Sequence, residues 1–324
     1  MHGSTALISL IVPCFNEQHN LDALYRRLIE VMSAQPLAFE LILVNDGSTD
    51  QTLQAIQALS RQDKRVRYAS FSRNFGHEAA SSCGFELARG DAAILLDADL
   101  QDPPELIPQM IERWQQGAQV VYGKRTSRSG ESLGKRATSY LFYRLLNRLS
   151  STPIPADVGD FRLVDRVVID HFNALPERNR FVRGMFSWVG FRQEAIPFTR
   201  EARHQGETKY NWLKLFVLAF DAVTAFSVSP LRLCSLVGLL VTLASFSAAI
   251  VVSLQKIFWG MPIPGYAFAT AGMFLLGGVQ LLFLGMIGEY IGKIYTQVQG
   301  RPLYIISETE PSKESTGEPQ GAGD

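Results

Sequence analysis

Cysteine is scarce in this chain of 324 residues: Cys14, Cys83 and Cys234 are the only three, with no C-x-x-C pair and no cysteine–histidine ligand spacing. That excludes a zinc site of this kind and a disulfide framework, and it fits a soluble part facing a reducing cytosol. No G-x-G-x-x-G follows a candidate strand and no G-x-x-x-x-G-K-[ST] occurs, so the dinucleotide fingerprint and the P-loop are both missing. The five histidines (His2, His19, His77, His171, His204) form no catalytic dyad or triad pattern. His77 alone lies beside a motif, where capping or packing is the first reading. The formal net charge is zero, from 31 basic and 31 acidic residues, which gives no global pull toward nucleic acid. The first apolar run has no basic segment before it and is interrupted by Pro13, Asn16 and Glu17, so it reads as a strand and not as a signal peptide.

The neutral total hides segregation. From Lys124 to Arg148 there are seven basic residues against one acid, Glu131, and Tyr140, Phe142 and Tyr143 are interleaved with them. From Ser307 to Asp324 the chain is rich in Glu, Pro, Ser and Gly with one Lys, the composition of a disordered tail. Between Arg232 and Glu289 the only charged residue is Lys256. Two spans of membrane length, about 233–254 and 266–288, are separated by Trp259-Gly260-Met261-Pro262-Ile263-Pro264-Gly265, which is turn chemistry with an interfacial Trp. This predicts a transmembrane hairpin. Lys209, Lys214 and Arg232 precede it and Lys293 and Arg301 follow it, so both termini are expected in the cytoplasm.

Ahead of the hairpin, apolar runs at 8–13, 40–45, 66–71, 92–96 and 119–122 alternate with helical patterns at 20–33, 50–61, 78–89 and 104–116. Such a βα series predicts an α/β domain with a mostly parallel, Rossmann-like sheet. Acids stand where three of the strands end: Glu17 after the first, Asp46 after the second, Asp97 and Asp99 after the fourth. Ligands of open α/β sheets bind beyond these carboxyl ends. Two carboxylates one residue apart repel unless a cation compensates them, and a hard divalent ion carrying a phosphorylated ligand suits them. The alternative is a solvated strand end, with Asp102-Pro103-Pro104 capping the next helix.

Three strings, Val12-Pro13-Cys14-Phe15-Asn16-Glu17, Val44-Asn45-Asp46-Gly47-Ser48-Thr49-Asp50 and Asp97-Ala98-Asp99-Leu100-Gln101-Asp102-Pro103-Pro104, resemble family 2 glycosyltransferases of the GT-A fold. Ser72-Arg73-Asn74-Phe75-Gly76, Val158-Gly159-Asp160-Phe161-Arg162-Leu163, Pro176-Glu177-Arg178-Asn179, Ser187-Trp188-Val189-Gly190 and the run from Gly285 to Gly292 narrow the resemblance to polyisoprenyl-phosphate glycosyltransferases, nearest the bactoprenol glucosyltransferases and akin to dolichol-phosphate mannose synthases.

The resemblance implies that Pro13, Phe15, Glu17, Val44 and Asp46 hold the uridine end of a nucleotide sugar, and that Asp97, Ala98 and Asp99 form the diphosphate–metal box. Asp99, with Gln101 and Asp97, would ligate Mg2+ or Mn2+. Arg203 and Lys209 would close over the diphosphate, and Arg125, with Arg128, Lys135 and Arg136, would meet the acceptor phosphate. Asp157 or Asp160 would orient the sugar. The expected reaction moves a hexose, by resemblance glucose, from a UDP-sugar to undecaprenyl phosphate with inversion, for modification of a cell-envelope glycan such as O-antigen. Mannose, N-acetylglucosamine and aminoarabinose stay open.

The implied organisation is a cytoplasmic catalytic domain over 1–208, interfacial amphipathic helices over 209–230, the hairpin within 231–292 and a tail over 293–324, disordered after about 307. The implied setting is the bacterial inner membrane, with a homo-oligomer (a tetramer is one possibility), a separate flippase and a downstream glycosyltransferase as partners, and no nucleic acid. A processive polysaccharide synthase would carry Gln-x-x-Arg-Trp and more spans. Here Gln109 precedes Arg113-Trp114 by four and the pair lies within the nucleotide-binding half, which reads as coincidence.

Overall fold

The structure, a computed structural model, describes residues 6–125, 158–178, 180–198, 229–259 and 265–310. Strands β1 (Leu7–Cys14), β2 (Ala38–Asn45), β3 (Val66–Phe71), β4 (Ala92–Leu95) and β5 (Val120–Arg125) alternate with helices α1 (Leu21–Ser33), α2 (Thr52–Gln62), α3 (His77–Leu87) and α4 (Ile107–Gln115), as the apolar periodicity predicts. A 3-10 turn, Pro104–Leu106, leads into α4; its cap position is Pro103, and Asp102 lies one residue earlier, buried. Then come β6 (Val158–Asp165), α5 (Arg166–Asn173), α6 (Val182–Val189), β7 (Gln193–Phe198), two long helices, α7 (Ser229–Trp259) and α8 (Tyr266–Val298), and a last strand, β8 (Ile306–Thr309).

The strands form one sheet in the order β7-β5-β6-β4-β1-β2-β3-β8. β1 to β4 pair in parallel, as do β5 and β7. β6 runs antiparallel between β4 and β5, and β8 runs antiparallel along β3. The sheet is therefore mostly parallel, but β4 and the strand that follows it in the βα series are not neighbours: β6 lies between them. Central strands are buried on both faces, which is why they read as continuous apolar runs without alternation. One face carries α1, α2 and α4 through Leu24, Leu28, Ile56, Met110 and Trp114. On the other, α3 sits so close to β1 that a Cβ on Gly84 would lie 2.1 Å from Ile11 Cγ2. Phe85, Phe172 and Phe186 fill the layer beyond, with ring centroids 4.7–5.4 Å apart.

β8 carries regular structure to Thr309, close to the point, about 307, after which the tail is expected to be disordered. Polar residues can form this edge strand because the β3 ladder and side-chain pairs hold it, not burial. Ser72 N donates to Ile305 O at 3.0 Å, Tyr68 Oη to Glu308 at 2.7 Å and Arg67 Nε to Glu310 at 2.8 Å. Tyr304 stacks on Phe71 at 4.8 Å and hydrogen-bonds Glu86.

The chain divides into two units, one built on the sheet and the other containing α7 and α8. In the second, Pro230–Gln255 and Leu275–Val298 are long and apolar enough to cross a membrane. Leu233, Leu236, Leu239 and Leu240 on α7 and Leu281, Leu282 and Leu284 on α8 are exposed, as lipid-facing side chains require. The two helices touch, with Cys234 Sγ 3.1 Å from Met286 Sδ. The expected interfacial helix pattern before residue 229 and the tail beyond residue 310 lie outside the described residues.

Candidate active site

Three strand ends converge on one edge of the sheet. After β1, Asn16 takes a positive φ of 58°. Asn16 bonds the turn after β2 in both directions: Asn16 N donates to Ser48 Oγ at 3.0 Å, and Asn16 Oδ1 accepts from Thr49 N at 2.9 Å. Glu17 N donates to Thr52 Oγ1 at 2.8 Å, so the turns after β1 and β2 are stitched together. Leu100, after β4, also has a positive φ, 61°. Non-glycine residues pay for that conformation, and such strain clusters where a site needs it. Pro13 is buried, Phe15 projects with 45% exposure and Glu17 accepts from Asn20 Nδ2 at 2.6 Å. Phe15 thus offers an open aromatic face at the crevice.

Asp46 has partners within the protein. It is buried, and its carboxylate accepts from Phe75 N at 2.7 Å, Gly76 N at 3.0 Å and Asn74 Nδ2 at 3.0 Å. Burial raises its pKa, against the lowering effect of those amides and of His77 and Arg73. The carboxylate therefore holds the Arg73–Gly76 loop, which ends in Gly76 at φ 100° and hands the chain to His77 at the start of α3. Val44 is fully buried.

β4 and β6 pair as far as Leu95 opposite Arg162, and Asp97 and Asp160 lie two residues beyond that pair, with ligand oxygens within 4.8 Å of each other. Like charges this close repel. His77 stands between them, with Nε2 3.7 Å from Asp97 and 3.5 Å from Asp160. Burial opposes a charged imidazole, but the hydrogen bond to Asp160 and the charges of Asp97, Asp160 and Glu78 outweigh it and lift the pKa to about 9. Arg183 forks onto Asp160 at 2.7 and 2.6 Å. The two carboxylates are driven apart: burial and the charges of Asp160 and Asp99 push Asp97 up, whereas for Asp160 the Arg183 and His77 bonds overcome burial and hold it well below the usual carboxylate range. Burial also lowers Arg162, to about 10, and raises Glu78.

Of the residues expected in the metal box, Asp97 is in this cluster and Ala98 is buried beside it. Asp99 instead turns Oδ1 back to accept from Gln101 N at 3.2 Å. The ligand atoms of His77, Asp97 and Asp160 lie within 4.8 Å of one another, a donor set that fits a hard divalent cation. Arg125 ends β5, and only its backbone is described. Arg128, Lys135, Arg136, Asp157, Arg203 and Lys209 lie outside the described residues. Glu78 and Arg183 lie in none of the strings that carry the resemblance, whereas Arg162 stands within Val158–Leu163. His77 follows the Ser72–Gly76 string directly, and that adjacency was its one available signal.

A Rossmann-like sheet with an antiparallel strand inserted next to the fourth, and acids gathered at its carboxyl edge, defines a GT-A catalytic domain. Residues 9–172 match the Glycosyl transferase family 2 description and residues 229–294 the GtrB C-terminal hairpin. The chain belongs to glycosyl transferase family 2. It is 43% identical over 304 residues to the uncharacterized glycosyltransferase sll0501 of Synechocystis (94% of this chain, 96% of that one). It is 45% identical over 301 residues to the uncharacterized glycosyltransferase YkcC of Bacillus subtilis (93% of each). It is 43% identical over 302 residues to the SfII prophage-derived bactoprenol glucosyl transferase of Shigella flexneri (93% and 98%).

Proposed function

We propose that this protein transfers glucose from UDP-glucose to undecaprenyl phosphate, with inversion and with a divalent cation. The observation that carries the reading is the 43% identity to a bactoprenol glucosyl transferase along 98% of that protein's length, hairpin included. The site's chemistry agrees. A sugar leaving a nucleoside diphosphate develops negative charge, and Asp97 with His77 and Asp160, or with Asp99 and Gln101, would hold a cation that neutralises it. Phe15 would stack on the base. Asp46 would serve indirectly by holding the loop that presents His77. The acceptor is already an anionic phosphate oxygen, so direct displacement needs no general base and yields the inverted anomer.

The topology supports a cytoplasmic site. Phe198 precedes α7 and Ile306 follows α8, and both belong to the one sheet. A hairpin of two spans would return the chain to the side it left, which supports a sheet domain on one side of the bilayer. The Lys/Arg bias favours the cytoplasm for that side. Arg125, Arg128, Lys135 and Arg136 would draw the lipid phosphate in, and Arg203 and Lys209 would close on the diphosphate. A separate flippase would then carry the product across for a downstream transferase.

The test is incubation of membranes holding the protein with undecaprenyl phosphate, Mg2+ or Mn2+, and a panel of labelled nucleotide sugars. Label from UDP-glucose should enter the lipid extract. Label entering only from another donor would overturn the choice of sugar, and none from any donor would overturn the reaction.

A further inference from the structure

Arg183 is distant in sequence from every motif at the strand ends, yet its guanidinium occupies both oxygens of Asp160. The fork has two consequences. It neutralises the acid that lies within 4.8 Å of Asp97, and it fixes the plane of the carboxylate, which a single point charge does not. Its base is braced on both sides. Val182 N donates to Glu78 Oε2 at 2.8 Å, tying the first turn of α6 to the start of α3. Arg162, buried, donates to Gly159 O at 3.0 Å and lies 5.1 Å from the Phe186 ring, which holds the backbone under Asp160. The Asp160 side chain is 7% exposed, so it shows the crevice one edge. Each carboxylate oxygen that accepts one N–H keeps capacity for a second donor.

We infer that Arg183 is a positioning residue for the transfer reaction: it holds Asp160 in one orientation beside Asp97 and acts on substrate only through that carboxylate. This rests on the function proposed for the site. Misplacing a group that orients the reacting centre costs turnover far more than ground-state affinity. The effect belongs in kcat, with the donor KM left alone.

The test uses the full chain in detergent with lipid, as wild type, Asp160→Asn, Arg183→Ala, the double variant and Arg183→Lys. Arg183→Ala should lower kcat about 30–100-fold with the donor KM within about threefold, and Arg183→Lys should recover roughly a tenth to a third of wild-type turnover. The double variant should fall no more than about threefold below the worse single, because both changes break one unit. Single effects that multiply in the double, or a donor KM that rises at constant kcat, would overturn the inference. Thermal unfolding of the same proteins reads the pairing without substrate: the double should melt within about 2 °C of the worse single, and additive losses would refute the fork. A wild type that labels no lipid would overturn the proposed function and the catalytic half of this inference, while the thermal cycle still decides the pairing.

Discussion

Asp46→Ala separates two uses of one carboxylate. If the acid holds the Arg73–Gly76 loop, removing it strands three donors: Phe75 N, Gly76 N and Asn74 Nδ2, now bonded at 2.7, 3.0 and 3.0 Å. Hydrogen bonds to a charged acceptor contribute about 1.5–3 kcal/mol each, but this loop is partly open and its donors regain water, so about 1 kcal/mol apiece is the fitting figure. The loss is then roughly 3 kcal/mol, or about 6–12 °C in melting temperature for a domain of about 150–250 residues. Asp46→Asn should lose much of the same, since its amide aims a donor at the Gly76 or Asn74 donors. Differential scanning fluorimetry of the full-length protein, with and without UDP, measures both quantities. A melting temperature unchanged within about 1 °C, together with weakened UDP binding, would show that the carboxylate serves the nucleotide and not the loop.

Other outcomes follow from the same geometry. His77 has a folded pKa of about 9 against an ordinary 6.5, so its contribution to stability is complete below about pH 6.5 and is lost as pH rises through 9. That difference corresponds to a ceiling of about 3.4 kcal/mol. Because the imidazole is 42% exposed, screening reduces it to about 1 kcal/mol. Metal-free wild type and His77→Gln should therefore converge in stability near pH 9.5, and parallel pH profiles would refute the pairing. Gly84→Ala drives a methyl into Ile11 and should cost about 1–3 kcal/mol of stability by denaturant titration, while Gly84→Ala with Ile11→Val should recover part of it. Chelation by EDTA should abolish transfer and added Mg2+ or Mn2+ restore it; full turnover in EDTA would remove the cation from the reaction. Removing residues 302–324 takes β8 from the β3 edge, and light scattering should report aggregation of a sheet left with an open ladder.

Much of this site is legible in one dimension. Glu17, Asp46, Asp97 and Asp99 fall just beyond apolar runs, and the rule that α/β ligands sit at carboxyl ends gathers them without coordinates. The loop contacts of Asp46 were not legible, because the donors come from the turn after β3, some thirty residues on in the chain. Asp99 reads from the sequence as the leading cation ligand, with Gln101 and Asp97 beside it; the backbone turn at Leu100 folds Asp99 onto Gln101 N, while Asp97 faces His77 and Asp160. The edge strand β8 reads as tail because its residues are polar and its stabilisation comes from pairing with β3.

By itself the sequence determined what depends on local periodicity and composition: the alternation of strands and helices, the acids that end the strands, and two helices too apolar for water. Tertiary structure decided which strands became neighbours. β6 enters antiparallel between β4 and β5, and that one pairing brings Asp160 to Asp97, with Arg183 following on α6. Apolar strands of similar composition carry little information about partner or register, since the preference arises only when their side chains pack and their ladders close together. The first acids of the site were therefore written in the chain, and the cations that make them tolerable appeared only on folding.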